Sequence, residues 1–228
     1  EAVINFLSLL GWNPGTTQEI FDLEALIAAF HLEQVNKAGA RFDPEKIKWF
    51  NHKYLQTKSN EELAKAFLPI LQEKNRPQVP ETTYMIAEPS VTYQKSTTHL
   101  TQIIALIKER AHFVSEFWDL GHFFFTAPAT YDKKAVKKQW KPQTAAIMEA
   151  LITVLSSLED FSASAVESHI KQWITSADLS FGQVMPPLRL ALVGAMKGPD
   201  LFAIAALLGR EETIDRIKKA MAALATKN

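Results

Sequence analysis

Apolar side chains recur along most of this chain at the spacing of one helix face. Ile4, Leu7 and Leu10 begin the pattern and predict a first amphipathic helix, which the Asn-Pro-Gly turn at 13–15 ends. Similar spacing continues almost to the C-terminus, whereas the period of two that strands require is weak and brief. The chain is therefore predicted to be mainly α.

Polar caps predict where several of these helices begin. Asp43 can accept an orphan backbone amide, and Pro44 follows at a position that needs no donor, so a helix should start there. Asp22 predicts the start of a helix that runs to Phe30, and Asn60 predicts another start. The first part of the chain is therefore predicted to be a small set of short helices.

Two prolines within four positions, Pro77 and Pro80, interrupt this pattern because proline cannot continue a helix. We place a domain boundary there, which separates residues 1–75 from residues 76–228. Beyond it the apolar spacing predicts one long helix and several shorter ones. They lie at about 97–120, 132–140, 143–158, 162–176, 186–196, 199–208 and 211–224. The weak strand patterns lie at 82–85 and 91–93. We expect the second part to divide into two subdomains, 76–127 and 128–228.

Composition limits the kind of protein this can be. With 47% hydrophobic and 22% charged residues, the chain has the composition of a folded protein with a core. Lys plus Arg and Asp plus Glu both number 25, so any contact with a nucleic acid must come from local clusters of charge. The absence of cysteine suits a reducing compartment, and no apolar stretch approaches the roughly 18 residues of a membrane span. A cytoplasmic location is predicted.

Signatures of catalysis and of cofactor binding are absent from the sequence. No glycine-rich phosphate-binding loop can be drawn, no two histidines are four residues apart, and no nucleophile elbow is present. Acid pairs such as Glu61-Glu62 and Glu211-Glu212 fall in predicted first helical turns, where the helix dipole favours them. The chain also opens inside a helical pattern, which predicts that it is part of a longer protein.

Several segments, in order along the chain, resemble one family of enzymes. The opening sequence resembles the region after the ATP-handling loop of class I glutamyl- and glutaminyl-tRNA synthetases. Two stretches that begin at Phe21 and Phe42 look like the stem-contact region of this family, and the later segments are similar to the anticodon-binding domain of the bacterial glutamyl type. These segments are Glu1–Trp12 (EAVINFLSLLGW), Phe21–Glu24 (FDLE), Phe42–Tyr54 (FDPEKIKWFNHKY), Gly182–Gly194 (GQVMPPLRLALVG), Gly198–Phe202 (GPDLF) and Leu207–Glu211 (LLGRE).

The resemblance implies a helical stem-contact unit followed by an all-α anticodon-binding helical cage. In this family a catalytic domain upstream of these segments attaches glutamate to its tRNA with ATP and Mg²⁺. The nucleotide-binding signatures of that domain do not occur here, so this chain should bind glutamate tRNA, hold no cofactor and be inactive alone. The resemblance further implies a monomer that binds neither DNA nor membrane.

Four residues are candidates for contact with the anticodon. The resemblance assigns Arg110 to the third anticodon base, and a guanidinium fork can donate to O2 and N3 of cytosine. Arg189 follows two prolines at a predicted helix start, where the dipole disfavours a cation, so a base or a phosphate is expected to hold it. Lys197 and Gly198 form a nearby loop. The alternatives are a surface arginine paired on its own helix for Arg110, and a carboxylate of a neighbouring helix for Arg189.

A second group of residues is predicted to contact the tRNA backbone. Five lysines share one face of a short helix, where like charges destabilise the helix modestly and a polyanion would relieve the repulsion. The alternative is a face that only contacts water. These lysines are Lys133, Lys134, Lys137, Lys138 and Lys141; in the first part of the chain Lys46, Lys48, Asn51 and Lys53 are candidates for the inner elbow of the tRNA.

A different class of function is also compatible with this pattern. Zero net charge and many amphipathic helices are typical of a helical protein–protein interaction scaffold as well. Binding of a helical protein partner, without affinity for RNA at low salt, would favour the scaffold. A free-standing enzyme has little support, because no constellation of catalytic residues is present.

Overall fold

A computed structural model describes residues 1–37, 39–74 and 97–225. Over these ranges the regular elements are helices, with one isolated bridge between Trp12 and Val35, and the predicted mainly α class is confirmed. The chain forms two compact units, residues 1–120 and residues 121–228. The predicted boundary near residue 75 and both strand candidates lie outside the described residues, so they stay predictions.

The first unit contains six helices within its described part. α1 packs against α3, and α4 packs against α5. Their bounds are α1 Ala2–Gly11, α2 Leu23–Ala29, α3 Pro44–Thr57, α4 Asn60–Lys74, α5 Thr97–Ile107 and α6 Glu116–Gly121, with 3-10 turns at Leu32–Gln34 and Lys108–Arg110.

The apolar pattern predicted the wrong face of α1. Ile4 and Leu7 are 50% and 53% exposed, whereas Phe6 and Asn5 are buried. The ring of Phe6 lies 5.9 Å from that of Phe50 on α3, and the side-chain Oδ1 of Asn5 accepts from the Tyr54 hydroxyl at 2.7 Å. An aromatic ring buries more apolar area than an aliphatic side chain, and this favours the Phe6 face.

The predicted caps are confirmed where the signal was local. Asp22 accepts from the amide of Ala25 at 2.7 Å, and Asp43 accepts from that of Glu45 at 2.9 Å, with proline in the first turn of α3. α4 begins as predicted, but its capping box is formed by Ser59 and Glu62: each side chain binds the other's backbone amide, at 3.2 and 2.8 Å.

The long helix predicted at 97–120 is wrong, because α5 ends at Ile107. A 3-10 turn follows at Lys108–Arg110, and α6 begins only at Glu116. The amides of His112 and Phe113 donate to the Glu116 carboxylate at 2.7 and 3.4 Å instead of continuing the helical ladder. This helix break, residues 108–115, sets the position of Arg110.

The second unit consists of a 3-10 turn and six helices over its described residues. α12 packs against α8 and α10, and α11 packs against α9. The bounds are His122–Phe124 for the turn, then α7 Lys133–Gln139, α8 Thr144–Ser156, α9 Ala163–Ser176, α10 Phe181–Val193, α11 Leu201–Leu208 and α12 Arg210–Ala225. None of the described helices has the length and apolar character needed to cross a bilayer.

α10 begins five residues before its predicted start, and the prediction at 186 is wrong. A capping box of Ser180 and Gln183 opens the helix, so Pro186 and Pro187 lie inside it. The two missing amides leave unpaired only carbonyls of the first turn, which is open to solvent around Gly182. This turn therefore tolerates both prolines.

A buried arginine joins three elements of the second unit. Arg216 is 2% exposed, and its Nη1 donates to the carbonyls of Phe123 at 2.6 Å and Leu192 at 2.8 Å. Its Nε donates to Glu212 at 2.7 Å. Because the guanidinium is compensated by a carboxylate and two carbonyls, it can remain charged in the core and connect α12, the end of α10 and the turn at 122–124.

Candidate nucleic-acid interface

Arg110 lies at the end of the 3-10 turn that follows α5. Its side chain is exposed, and among the described residues it makes no side-chain hydrogen bond or ion pair. The predicted alternative, a surface arginine paired on its own helix, is therefore absent from this part of the structure. All the guanidinium donors are available to a ligand.

Side chains of α3 hold the backbone on both sides of Arg110. Gln56 Nε2 donates to the carbonyl of Lys108 at 2.9 Å, and His52 Nδ1 donates to that of Ala111 at 2.8 Å. Since a carbonyl can only accept, His52 must carry its proton on Nδ1. Asn51 Nδ2 donates in the same way to the carbonyl of His112. Together with Glu116, His52 and Asn51 satisfy backbone groups that the helix break leaves without helical partners. Gln56 is a second donor to the carbonyl of Lys108, which also accepts from the amide of Ala111 at 3.1 Å.

Arg189 lies in the second half of α10, not at a helix start, and the predicted position relative to the dipole is wrong. The reason is the earlier start of α10. Its Nη1 donates to the carbonyl of Pro199 at 3.0 Å and to that of Lys197 at 3.4 Å. Half-buried Arg189 thus holds the loop 197–200, which the sequence analysis expected to lie beside it.

Gly198 makes a tight approach possible in that loop. Its φ is +121°, and a Cβ there would lie 3.4 Å from Arg189 Nη1 and 3.6 Å from the ring of Phe123. Both the conformation and the space therefore favour glycine. Lys197 is exposed next to it, and Asp200 ends the loop by capping α11 through the amide of Ala203 at 2.8 Å. The structure brings Arg189, Lys197 and Gly198 into one place.

The five lysines of α7 and its C-terminal flank form what we call the lysine ridge. All are exposed, and none forms an ion pair with an acid among the described residues; Lys141 Nζ donates only to the carbonyl of Lys137, at 3.0 Å. Buried Ala135 and Trp140 fix the opposite side of this segment. The ridge consists of Lys133, Lys134, Lys137, Lys138 and Lys141.

The end of α10 supports the start of the lysine ridge. The amide of Asp132 donates to the carbonyl of Gly194 at 2.8 Å, and the Asp132 carboxylate caps α7 through the amide of Ala135 at 2.7 Å. Gly194 has φ +79°, and a Cβ there would lie 2.8 Å from the carbonyl oxygen of Thr130. Any larger residue would push the ridge away from α10.

The candidate contacts of the first unit all have partners inside the protein. Lys46 pairs with Glu19 at 2.5 Å and Lys48 pairs with Glu45 at 2.8 Å. The hydrogen bond and charge of Glu45 raise the pKa of Lys48 above its ordinary value. The ammonium of Lys53 lies 5.6 Å from the ring centroid of Trp49, and Asn51 is engaged with His112 as described above.

Sequence reasoning did not find the role of His52 and Gln56. A signal for it exists, because the two polar residues are four positions apart and share a face of α3 with no predicted partner. Their partners lie 59 and 52 residues further along the chain, so the contacts could not be read from local pattern.

The described parts of the chain are helical, and they expose an arginine at a helix break and a row of lysines that have no acid partner within those parts; these are features of a helical RNA-binding protein. A family model described as an anticodon binding domain matches residues 62–221. The chain therefore belongs to the anticodon-binding domain family.

The chain is similar to glutamate--tRNA ligases of several bacteria, and the predicted resemblance is confirmed. The enzyme of Flavobacterium johnsoniae is 52% identical over 224 residues, and that of Porphyromonas gingivalis is 45% identical over 224 residues; in both cases the match covers 98% of this chain and 41% of the relative. The chain thus spans about two-fifths of the length of these relatives.

Solved structures lead to the same family. The crystal structure of a glutamate tRNA ligase from Elizabethkingia meningosepticum matches 98% of this chain and 41% of its own, with a TM-score of 0.85 and 42% identity. A glutamate-tRNA synthetase from Elizabethkingia anophelis matches 97% of this chain and 40% of its own, with a TM-score of 0.80 and 41% identity.

Proposed function

We propose that the chain is the C-terminal, tRNA-binding part of a bacterial glutamate--tRNA ligase. It holds the inner stem and anticodon loop of glutamate tRNA while the rest of the protein attaches glutamate with ATP and Mg²⁺. The match of the anticodon binding domain to residues 62–221 carries this proposal, and the names of the relatives support the choice of amino acid. The complete protein is a cytoplasmic monomer in this account.

Arg110 is the proposed reader of the third anticodon base. Its exposed guanidinium has no competing partner among the described residues, and its fork of donors fits O2 and N3 on the pairing edge of cytosine. Guanine at the same position presents an N–H donor where cytosine offers an acceptor. An arginine in this place would therefore favour glutamate tRNA over glutamine tRNA.

The loop at Lys197 and Gly198 is the proposed second contact with the anticodon loop. Arg189 fixes the loop through two carbonyls, Gly198 lets the loop pack closely against Arg189 and Phe123, and exposed Lys197 offers its charge to a phosphate. Arg189 stays a candidate contact of the anticodon loop because its guanidinium lies beside this loop.

The lysine ridge is the main proposed contact with the sugar-phosphate backbone of the tRNA. Its charges have no acid partner among the described residues, so a phosphate there replaces only counterions and water. Lys46, Lys48, Asn51 and Lys53 stay the candidates for the inner stem, but an RNA must first displace the carboxylate, ring or carbonyl that each one now contacts.

The test is direct binding of an anticodon stem-loop RNA with the sequence of glutamate tRNA. The chain should bind it, and with about three phosphate contacts a plot of log affinity against log salt should have a slope of roughly −2. A stem-loop with an unrelated anticodon is the control and should bind more weakly at every salt concentration. Absence of binding at low salt would contradict the proposal.

One observation favours the alternative of a protein–protein scaffold. Large apolar side chains are exposed on the first helices, among them Leu7 at 53%, Ile27 at 69% and Leu32 at 77%. Where exposed apolar side chains lie together, they form a surface that another protein typically covers. A helical partner that binds this chain, combined with no affinity for the stem-loop, would favour the scaffold over RNA recognition.

A further inference from the structure

The helix break that carries Arg110 has its carbonyls bound by side chains of another helix. Three donors on α3, Gln56, His52 and Asn51, reach the carbonyls of Lys108, Ala111 and His112. We propose that these α3 donors are positioning residues: they fix the direction of Arg110 and so determine how well the protein distinguishes the third anticodon base. This inference rests on the proposed function, and it assigns these residues no direct contact with RNA.

The break needs these donors for a simple physical reason. Where α5 ends, the carbonyls of Ala111 and His112 lose the amides that a continuing helix would supply, and each must find another partner. The carbonyl of Lys108 accepts from the amide of Ala111 at 3.1 Å, and Gln56 is its second donor. Ala111 is completely buried, so its carbonyl cannot turn to water. Without His52 it would be an unsatisfied buried acceptor, and the backbone would shift to relieve it.

Nothing in the Arg110 side chain itself holds its direction. It makes no hydrogen bond or ion pair among the described residues, whereas the carbonyls two positions before it and one position after it are both bound by α3. Glu116 binds amides on the far side of the break only, at His112 and Phe113. The backbone at 108–112 is therefore the part that aims the guanidinium, and α3 fixes that backbone.

Misplacement of Arg110 should affect discrimination more than affinity. Reading a base edge requires donors placed within about 0.5 Å and 10–20° of the correct geometry. Attraction between a cation and phosphates changes slowly with distance and tolerates such a displacement. Loss of an α3 donor should thus lower the preference for cytosine over guanine while most of the binding remains.

The decisive comparison uses two substitutions of one residue. Asparagine carries Nδ2 at the place of the histidine Nδ1, so His52→Asn can still donate to Ala111, whereas His52→Leu cannot. The measurement is the dissociation constant of the 228-residue chain for two stem-loops that differ only in cytosine or guanine at the third anticodon position. His52→Leu should lower the ratio of the two constants by about threefold to tenfold, which is the contribution of one hydrogen bond. His52→Asn should retain at least half of the preference for cytosine that His52→Leu loses.

A second variant guards against simple unfolding. Gln56 is half-exposed, and Gln56→Met keeps its shape and charge without the donor. It should lower the ratio less than His52→Leu does, because the carbonyl of Lys108 still accepts from the amide of Ala111 at 3.1 Å. The matched control is Gln102→Met, because Gln102 is exposed on α5 and makes no side-chain hydrogen bond among the described residues. Circular dichroism establishes that each variant is folded.

The substituted variants and the unsubstituted chain together distinguish failure of this inference from failure of the proposed function. If Arg110→Ala lowers the ratio but folded His52→Leu and Gln56→Met do not, the positioning role is overturned and the proposed function stands. Equal losses in His52→Leu and His52→Asn also overturn it. If the unsubstituted chain does not bind the stem-loops, the proposed function fails instead. In the positive case, His52→Leu has no further effect on the ratio once Arg110 is alanine.

Discussion

Two helices of this protein carry lysines at similar density and use them differently. On α3, Lys46 and Lys48 pair with Glu19 and Glu45, and Lys53 lies over an indole ring. On α7 the lysine ridge has no acid partner among the described residues. Zero net charge therefore says little about a nucleic-acid surface. A lysine that is already paired within the fold contributes less binding free energy to a polyanion than a lysine that contacts only water.

The largest effect is expected where the lysine ridge is attached to the fold. Gly194→Ala would put a Cβ 2.8 Å from the carbonyl oxygen of Thr130 at a φ of +79°, so we expect a loss of about 3 kcal/mol in the free energy of unfolding. Gly15 in the first unit is the matched control: its φ is +74°, but nothing lies within 4 Å. Gly15→Ala should cost only about 1 kcal/mol, the strain of the conformation alone. Denaturant unfolding measures both, and equal losses would contradict the packing argument.

Charge removal compares the two helices directly. Lys133, Lys137 and Lys141 changed together to glutamine should weaken stem-loop binding about tenfold at low salt and flatten its salt dependence, because released counterions supply this part of the affinity. The same change at Lys46, Lys48 and Lys53 should weaken it less than about threefold, since those charges are already compensated. Titrations at several salt concentrations measure both triple variants. A larger loss from the α3 triple would reverse the assignment.

The smallest expected effect comes from making α3 resemble the ridge. Glu19→Gln with Glu45→Gln removes the acids that compensate Lys46 and Lys48, so stem-loop affinity should rise by about twofold. The pKa of Lys48 should also fall towards its ordinary value, because Glu45 is what raises it. A binding titration measures the change in stem-loop affinity, and an NMR titration of the lysine amines measures the change in the pKa of Lys48. Unchanged affinity would mean that the RNA does not reach α3.

Much of the helical framework could be predicted because its causes are local. Asp22 and Asp43 cap helices through amides two or three residues away, and the lysine ridge follows from spacing along one helix. The start of α10 had a local signal as well, the capping box at Ser180 and Gln183, but the pair of prolines was the more conspicuous feature and led to the wrong start.

What could not be predicted depends on contacts across the sequence. The apolar spacing of α5 gives no reason to stop at Ile107; the break is held partly by side chains of α3 more than fifty residues upstream. The pairing of Lys46 with Glu19 spans 27 residues, so its compensation was invisible in the pattern. The charged residues could thus be identified from the sequence. Which of them have partners among the described residues became visible only in the structure.

Arg110 provides the most direct test of the account. The measurement is the ratio of dissociation constants for stem-loops with guanine and cytosine at the third anticodon position, in the unsubstituted chain and in Arg110→Ala. We expect Arg110→Ala to lower this ratio about tenfold or more, because a bidentate contact to a base is lost, while binding of the guanine stem-loop changes little. An equal loss of affinity for both RNAs would contradict it, because Arg110 would then be an ordinary phosphate contact.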